Sequence, residues 1–254
     1  MATYKKRGYK PKNKAEEVQL DEQESTTAEV FNTLDESASR SEEWVSKNQN
    51  YILGVIGVVA VAVLGYLAYN QFVAQPKEAT ASNEMYYPLQ SFDQALKSTT
   101  ERDSLFNTAL EGANGKYGFI SIIEEYSGTD AANLATYAAG TSYLNLQKYQ
   151  EAIEYLGNYT AEDDITNTIA KGGIGDAFAQ LDQPVEALEY YNKAIAVTTN
   201  AYTSLYLYKA GIIALDMKKG AEALAYFERI KEEFPKSNEA NNIDALIGMA
   251  KNVK

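Results

Sequence analysis

From Tyr51 to Tyr69 the chain reads YILGVIGVVAVAVLGYLAY, nineteen residues with no charge and no Asn, Gln, Ser or Thr. A helix rises 1.5 Å per residue, so about 20 residues span the roughly 30 Å hydrocarbon layer of a bilayer. A soluble core helix is seldom uncharged on every face over such a length. Gly54 and Gly57 weaken a helix in water but are common in membrane helices. Tyr51, Tyr66, Tyr69 and Phe72, with Trp44 slightly before, stand near the two ends, where interfacial aromatics are enriched. The pattern predicts one transmembrane helix over 49–71. A cleaved signal peptide is a poor match, because a long charged region precedes the stretch and the Ala79-Thr80-Ala81 triplet lies beyond Lys77 and Glu78. On a helical wheel Gly54, Gly57, Gly65 and Ala68 fall within about 80° of one another, a small-residue face on which a partner helix can approach closely.

Ahead of this stretch the pattern fades. Residues 1–27 show no apolar periodicity and are expected to be a disordered arm. Lys5, Lys6, Arg7, Lys10, Lys12 and Lys14 interleave there with Tyr4 and Tyr9, uninterrupted by any acid. Such an arm either contacts anionic lipid or ribosomal RNA, or is a solvated tail. Over 28–48, Val30, Phe31, Leu34, Ala38 and Val45 recur at helical spacing and predict a juxtamembrane amphipathic segment. Arg40 and Lys47 flank the apolar stretch on this side and Lys77 alone on the other, so the positive-inside rule gives a cytoplasmic N-terminus and an exported C-terminal domain.

Beyond the stretch, residues 72–82 read as a linker containing Pro76. Three helices are then expected: Glu84–Lys97, Asp103–Leu110 capped by Asp103 or Ser104, and Lys116–Tyr126. Gly112 and Gly115 break the second and Gly128 closes the third. After these the sequence repeats. GTSYLNLQKYQEAIEYL begins at Gly140, GDAFAQLDQPVEALEYY at Gly175 and GIIALDMKKGAEALAYF at Gly211, with steps of 35 and 36 residues. Three residues after each Gly stands Tyr143, Phe178 or Ala214. Twelve after it stands Ala152, Ala187 or Ala223, and sixteen after it Leu156, Tyr191 or Phe227; Pro235 follows the third copy. The small residues permit close helix approach, and the aromatics fill the wedge that remains.

This spacing resembles the tetratricopeptide repeat, a helix–turn–helix unit of about 34 residues. The tryptophan position of that motif holds Thr136, Lys171 and Leu207, and its proline position holds Asp164 and Thr199 before Pro235, so the first two joints are expected to be looser. The expected fold is all-α: a tetratricopeptide-repeat solenoid on a single transmembrane helix. The repeat domain occupies 83–254, with repeats over about 133–166, 168–201 and 204–237, a capping helix over 237–252, and a degenerate opening unit over 83–126. The resemblance implies that the first helix of each repeat lines a concave partner-binding groove. By register that groove presents Leu134, Tyr137, Thr141, Leu144 and Asn145, then Ile169, Asp176 and Gln180, then Leu205, Tyr208, Ile212 and Asp216. Tyr137 and Tyr208 could equally serve as packing between repeats. Lys209 alone brings a cation near, which argues against a clamp for a peptide's terminal carboxylate and for an extended or helical peptide, a basic one included.

Charge and composition narrow the function. The chain carries −12; the first 50 residues hold eight Lys/Arg and ten Asp/Glu, which leaves −10 for the part beyond the apolar stretch. So acidic a domain is an unpromising nucleic-acid binder. There is no His and no Cys, which removes the commonest general base, the commonest zinc ligands, disulfides and thiolate chemistry. Gly172-Gly173-Ile174-Gly175 is followed by no Lys-Ser/Thr and falls within a helix, so it is no phosphate loop; Asp163-Asp164 reads as a helix cap. No catalytic residue, metal or cofactor is expected, and the chain reads as a binding protein, not an enzyme.

A short N-terminal segment, one anchor and an exported repeat domain, with IIEEYSGTDAANLATYAAGTSYLNLQKYQEAIEYL over Ile122–Leu156, resemble the YfgM-like ancillary subunits of the bacterial Sec translocon. The resemblance covers about residues 45–254, and the long arm is a departure that is similar to Bacteroidota-type members. It implies a bacterial inner-membrane protein beside the SecYEG channel, acting with a PpiD-type membrane-anchored chaperone on emerging polypeptides, with the repeats in the periplasm. A scaffold of another envelope complex, or an organellar import receptor with cytosolic repeats, remains open on the sequence.

Overall fold

The structure is a computed structural model that describes residues 14–197 and 201–253, with side chains described from residue 42 onward. Lys5, Lys6, Arg7, Lys10 and Lys12 lie outside the described residues, as does the side chain of Lys14. The chain divides into two units, residues 1–69 and 70–254, each taken by itself.

The first unit is one helix, α1 (Lys14–Tyr69). Residues 15–27, expected to be without order, are helical here, and the juxtamembrane segment belongs to the same helix. Ala, Glu, Gln and Leu dominate the start of that stretch, and their intrinsic preference is helical even where no apolar face forms. Among the described residues one helix is long and apolar enough to cross a membrane, and none of its most apolar window is buried. An apolar helix folded into a soluble core would be covered.

The second unit opens on a widened π-helical turn, Asn70–Ala74, followed by α2 (Gln75–Glu84). The expected linker over 72–82 is therefore helical. Pro76 sits in the first turn of α2, where its missing N–H costs nothing; the looser turn ahead of it accommodates the ring. Helices α3 (Tyr86–Lys97) and α4 (Arg102–Glu111) follow. The N-cap of α4 is Glu101, not Asp103 or Ser104, and the Ser98 hydroxyl accepts its N–H at 3.0 Å. Where Gly112 and Gly115 were expected only to break the helix, they build a hairpin of β1 (Gly112–Ala113) and β2 (Lys116–Tyr117). Asn114 and Gly115 form its two-residue turn, both at positive φ, as a type I′ hairpin requires. Then comes α5 (Phe119–Glu125). Phe92 packs edge-on to Phe106 and Phe119, with centroids 5.7 and 6.0 Å apart, at the centre of this opening layer.

Three helix pairs complete the stack: α6 (Asp130–Asn145) with α7 (Tyr149–Asn158), α8 (Asp164–Gln180) with α9 (Pro184–Ile195), and α10 (Thr203–Asp216) with α11 (Gly220–Glu233). The recurring Gly is where the two helices of a pair meet. A Cβ at Gly140 would stand 2.7 Å from Leu156, one at Gly175 2.7 Å from Tyr191 and one at Gly211 2.4 Å from Phe227, always the residue sixteen positions on. Ala152, Ala187 and Ala223 are fully buried. Each pair turns through three residues whose middle one, Gln147, Asp182 or Lys218, adopts the left-handed conformation near φ 60°, although none is Gly. The N–H of Lys148, Gln183 or Lys219 then returns to the carbonyl of Tyr143, Phe178 or Ala214 at 2.8–3.0 Å and satisfies the end of the first helix. The C-terminal cap is divided: a 3₁₀ turn over Asn238–Ala240, closed by the Ser237 hydroxyl, precedes α12 (Ile243–Asn252), and Asn242 is left-handed between them. Ile243, Ile247 and Ala250 of α12 cover the end of the core around Phe227 and Ile230.

Candidate functional site

The first helices of the three pairs, α6, α8 and α10, bring their C-terminal halves or facing turns to a shared hollow of about 590 Å³. The hollow collects Asn145, Asp176, Gln180, Tyr208 and Ile212, together with Leu144, from among the residues expected to face the groove. Ala179, Ile212 and Ile213 supply apolar lining, and Asn145, Asp176, Gln180 and Lys209 supply polar lining.

The centre of the hollow is an ion pair that sequence spacing could not show. Lys209 Nζ donates to both carboxylate oxygens of Asp176 at 2.7 Å, and the Tyr191 hydroxyl donates to Oδ1 at 2.8 Å. The two charged side chains are 31% and 29% exposed, so the pair is partly withdrawn from water and less screened than a surface bridge. Lys209 also stands over the Tyr206 ring, 5.5 Å from its centroid. Burial and the nearby Asp176 carboxylate push the Tyr191 and Tyr206 hydroxyls far above the ordinary tyrosine range, so both stay protonated donors. The one carboxylate lining the hollow, Asp176, is matched by the one lining cation, Lys209, so the lining carries no net charge.

Other polar groups are also engaged. Asn145 Oδ1 accepts a hydrogen bond from Arg102 of α4, and its amide donates to the Thr141 carbonyl at 2.8 Å. Arg102 is thus a second cation at the edge of the groove, reached across 43 residues of sequence. The Tyr149 hydroxyl approaches Gln180 Oε1 at 3.4 Å. Tyr149, Gln147 and Tyr191 belong to the turn or second helix of a pair and were missed because the register considered only first helices.

Several other expected groove residues lie elsewhere, and Tyr208 serves the core as well as the hollow. Tyr137 is half-buried against Tyr159, with centroids 5.1 Å apart, and burial raises its hydroxyl pKa. Thr141 bonds its own helix through the Tyr137 carbonyl at 3.0 Å. Leu205 packs into the core between the second and third pairs. Tyr208 lines the hollow and also meets Phe227 edge-on at 6.5 Å, so it joins groove and core. Asp216 lines a separate hollow against α12 with Leu215, Leu246 and Met249. Leu134 is 46% exposed in a third hollow near the start of α6. In α1, a Cβ added at Gly54, Gly57 or Gly65 meets nothing within 4 Å among the described residues, and Ala68 is exposed. Among the described residues no cluster of three or more His, Cys, Asp or Glu could hold a metal ion.

Residues 137–202 match one tetratricopeptide-repeat family and residues 206–237 match a second. The first range runs from within α6 past the end of α9, and the second from within α10 past the end of α11. No curated protein matches the chain.

Proposed function

We propose that this protein is a membrane-anchored interaction scaffold, non-catalytic, whose repeats recruit protein partners beside the bilayer. The observation that carries the reading is the pairing of one uncovered apolar helix with a repeat domain whose three first helices converge on one hollow. Tetratricopeptide repeats are protein-binding modules, and the hollow's neutral, half-apolar lining suits a peptide better than a charged small molecule. The finer reading is an accessory subunit of the SecYEG translocon that acts with a PpiD-type chaperone on emerging chains. Its support is the layout and the likeness of Ile122–Leu156 to YfgM-like subunits. In that setting α1 spans the bacterial inner membrane, the N-terminus is cytoplasmic and the repeats are periplasmic, as the basic bias before the apolar stretch favours. The face of Gly54, Gly57, Gly65 and Ala68 is free to meet a partner's helix. The six basic residues of the arm add a salt-dependent contact with anionic lipid or a docked ribosome.

Mild detergent extraction of the native protein, followed by identification of what co-purifies, tests this reading. SecY and a PpiD-type chaperone are the expected companions. Recovery of a different envelope complex instead would keep the scaffold and remove the translocon; protease access to the repeats from the cytosolic side would reverse the topology.

A further inference from the structure

The acidity missing from the central hollow gathers at another. Between α2, the start of α3, the first turn of α6 and the joint leading into α8 lies a hollow of about 410 Å³. Its apolar part comes from Met85, Leu89, Leu134 and Tyr159, and Leu134 offers nearly half its surface to solvent. Four carboxylates surround it: Glu78, Asp130, Glu162 and Asp163, with no Lys or Arg among the lining residues. The adjacent Lys77 is turned to another task, its Nζ donating to the Ser127 carbonyl at 2.8 Å.

The walls are fixed before any partner arrives. Glu78 accepts the N–H groups of Asp130 at 2.7 Å and Ala131 at 3.1 Å, which ties α2 to the free donors at the start of α6. Asp163 caps α8 by accepting from Ile165 and Thr166 at 2.8 and 2.9 Å. Asp130 and Glu162 stand exposed beside them. Eight residues lie between Tyr69 and Glu78 in the sequence, at most about 32 Å of chain.

We propose that this hollow docks a segment of a partner protein in which a Lys or Arg stands beside a large apolar side chain. The apolar residue covers Leu134 and Leu89, and the cation meets the carboxylates of Asp130 and Glu162. The same negative rim disfavours anionic headgroups and acidic peptides. The proposal rests on the scaffold reading above and gives it a partner chemistry: a segment both basic and apolar.

The test uses the full chain in nanodiscs of zwitterionic phosphatidylcholine, so that lipid does not compete for a basic probe. The probe is a fluorescein-labelled peptide of alternating Lys and Leu, followed by fluorescence anisotropy at low ionic strength. Comparison peptides replace Lys by Glu or Leu by Ser. Asp130→Asn with Glu162→Gln weakens binding about tenfold. Leu134→Ser weakens it about fivefold. Glu154→Gln with Glu228→Gln, which removes equal charge outside the hollow, changes it by less than about twofold. Failure of the wild type to bind the Lys–Leu peptide overturns the proposal. So does equal binding of the Lys–Ser peptide, equal weakening by the distant pair, or an unchanged affinity in Leu134→Ser. Any of these results with the co-purifying partners retained removes this hollow and leaves the scaffold. Peptide binding without SecY or a PpiD-type companion removes the translocon reading and leaves the hollow.

Discussion

Gly211→Ala is the sharpest single test of the packing. The new Cβ would lie 2.4 Å from Cε1, 2.7 Å from Cζ and 2.9 Å from Cδ1 of Phe227. The ring has no exit: Phe227 is fully buried, with Leu207, Ala214, Ala223 and Ile230 in the same cluster and α12 beyond. Overpacking of this kind costs about 1–3 kcal/mol, and a ring held on all sides belongs toward the upper end. Ala is a better helix former than Gly by about 1 kcal/mol, which offsets part of the loss. Gly157→Ala supplies the reference, because its Cβ meets nothing within 4 Å and the same propensity gain stands alone. The difference between the two variants isolates the packing term at about 1–3 kcal/mol, or roughly 2–4 °C in melting temperature per kcal/mol for a unit of this size. The assay is near-ultraviolet circular dichroism of the full chain in one detergent, which reports the buried tyrosines and not the helicity of α1. Phe227→Leu makes room, so the double variant is less destabilised than the sum of the singles by at least about 1 kcal/mol. Gly211→Ala melting as high as Gly157→Ala, with an additive double variant, would refute the pairing of position and sixteenth successor on which the three-repeat stack depends.

Three other perturbations read different parts of the account. Lys209→Met leaves Asp176 bonded to the Tyr191 hydroxyl without its cation and costs about 1–2 kcal/mol in the same melts; much of that loss vanishes in an Asp176→Asn background, and additivity of the two changes would contradict the ion pair. Backbone donors of Thr166 and Ile165, with the Thr166 hydroxyl, hold the Asp163 carboxyl below its ordinary 3.8, so its capping contribution is complete above about that pH and fades as pH falls through the lower folded value. Asp163→Ala therefore lowers the melting temperature at pH 7, and the gap to wild type closes on acidification toward pH ~2; a gap that widened would reverse the sign of the linkage. Gly57→Leu with Gly65→Leu leaves the chain's own contacts intact, since both positions open on empty space, so reduced partner recovery at unchanged membrane insertion locates a helix contact there; unchanged recovery assigns attachment to the repeat domain.

The fold was legible wherever small and large residues alternate at fixed spacing. Gly140, Gly175 and Gly211, with Leu156, Tyr191 and Phe227, announce helix pairs because close approach needs a missing side chain at one point and bulk at its partner. The turns within the pairs were not legible, since Gln147, Asp182 and Lys218 hold a left-handed conformation that sequence reading assigns to Gly or Asn. Residues 72–82 misled through Pro76 and polar composition, although a proline in a first helical turn disturbs nothing. The Asn114-Gly115 signal for a hairpin was present in the sequence and was read only as a break. At the site, register placed Asp176, Gln180, Tyr208 and Ile212 near one another, yet the partner that neutralises Asp176 lies 33 residues away and Arg102 reaches Asn145 across 43. Such pairings are set by how helices stack, and local periodicity carries no trace of them. The acidic hollow shares this origin: α2 was read as a linker, so no wall for Leu134 could be foreseen.

Site-specific photo-crosslinking in intact membranes addresses the central claim, that a membrane-anchored repeat domain recruits protein through the hollow shared by its first helices. Benzoylphenylalanine would be placed singly at Gln180 and Ile212 inside the hollow, and at Glu154 and Glu228 on the exposed sides of α7 and α11. The account predicts discrete protein adducts from Gln180 and Ile212 in the membrane fraction, and none from Glu154 or Glu228. Adducts of equal yield from all four positions, or from Glu154 and Glu228 alone, would contradict it.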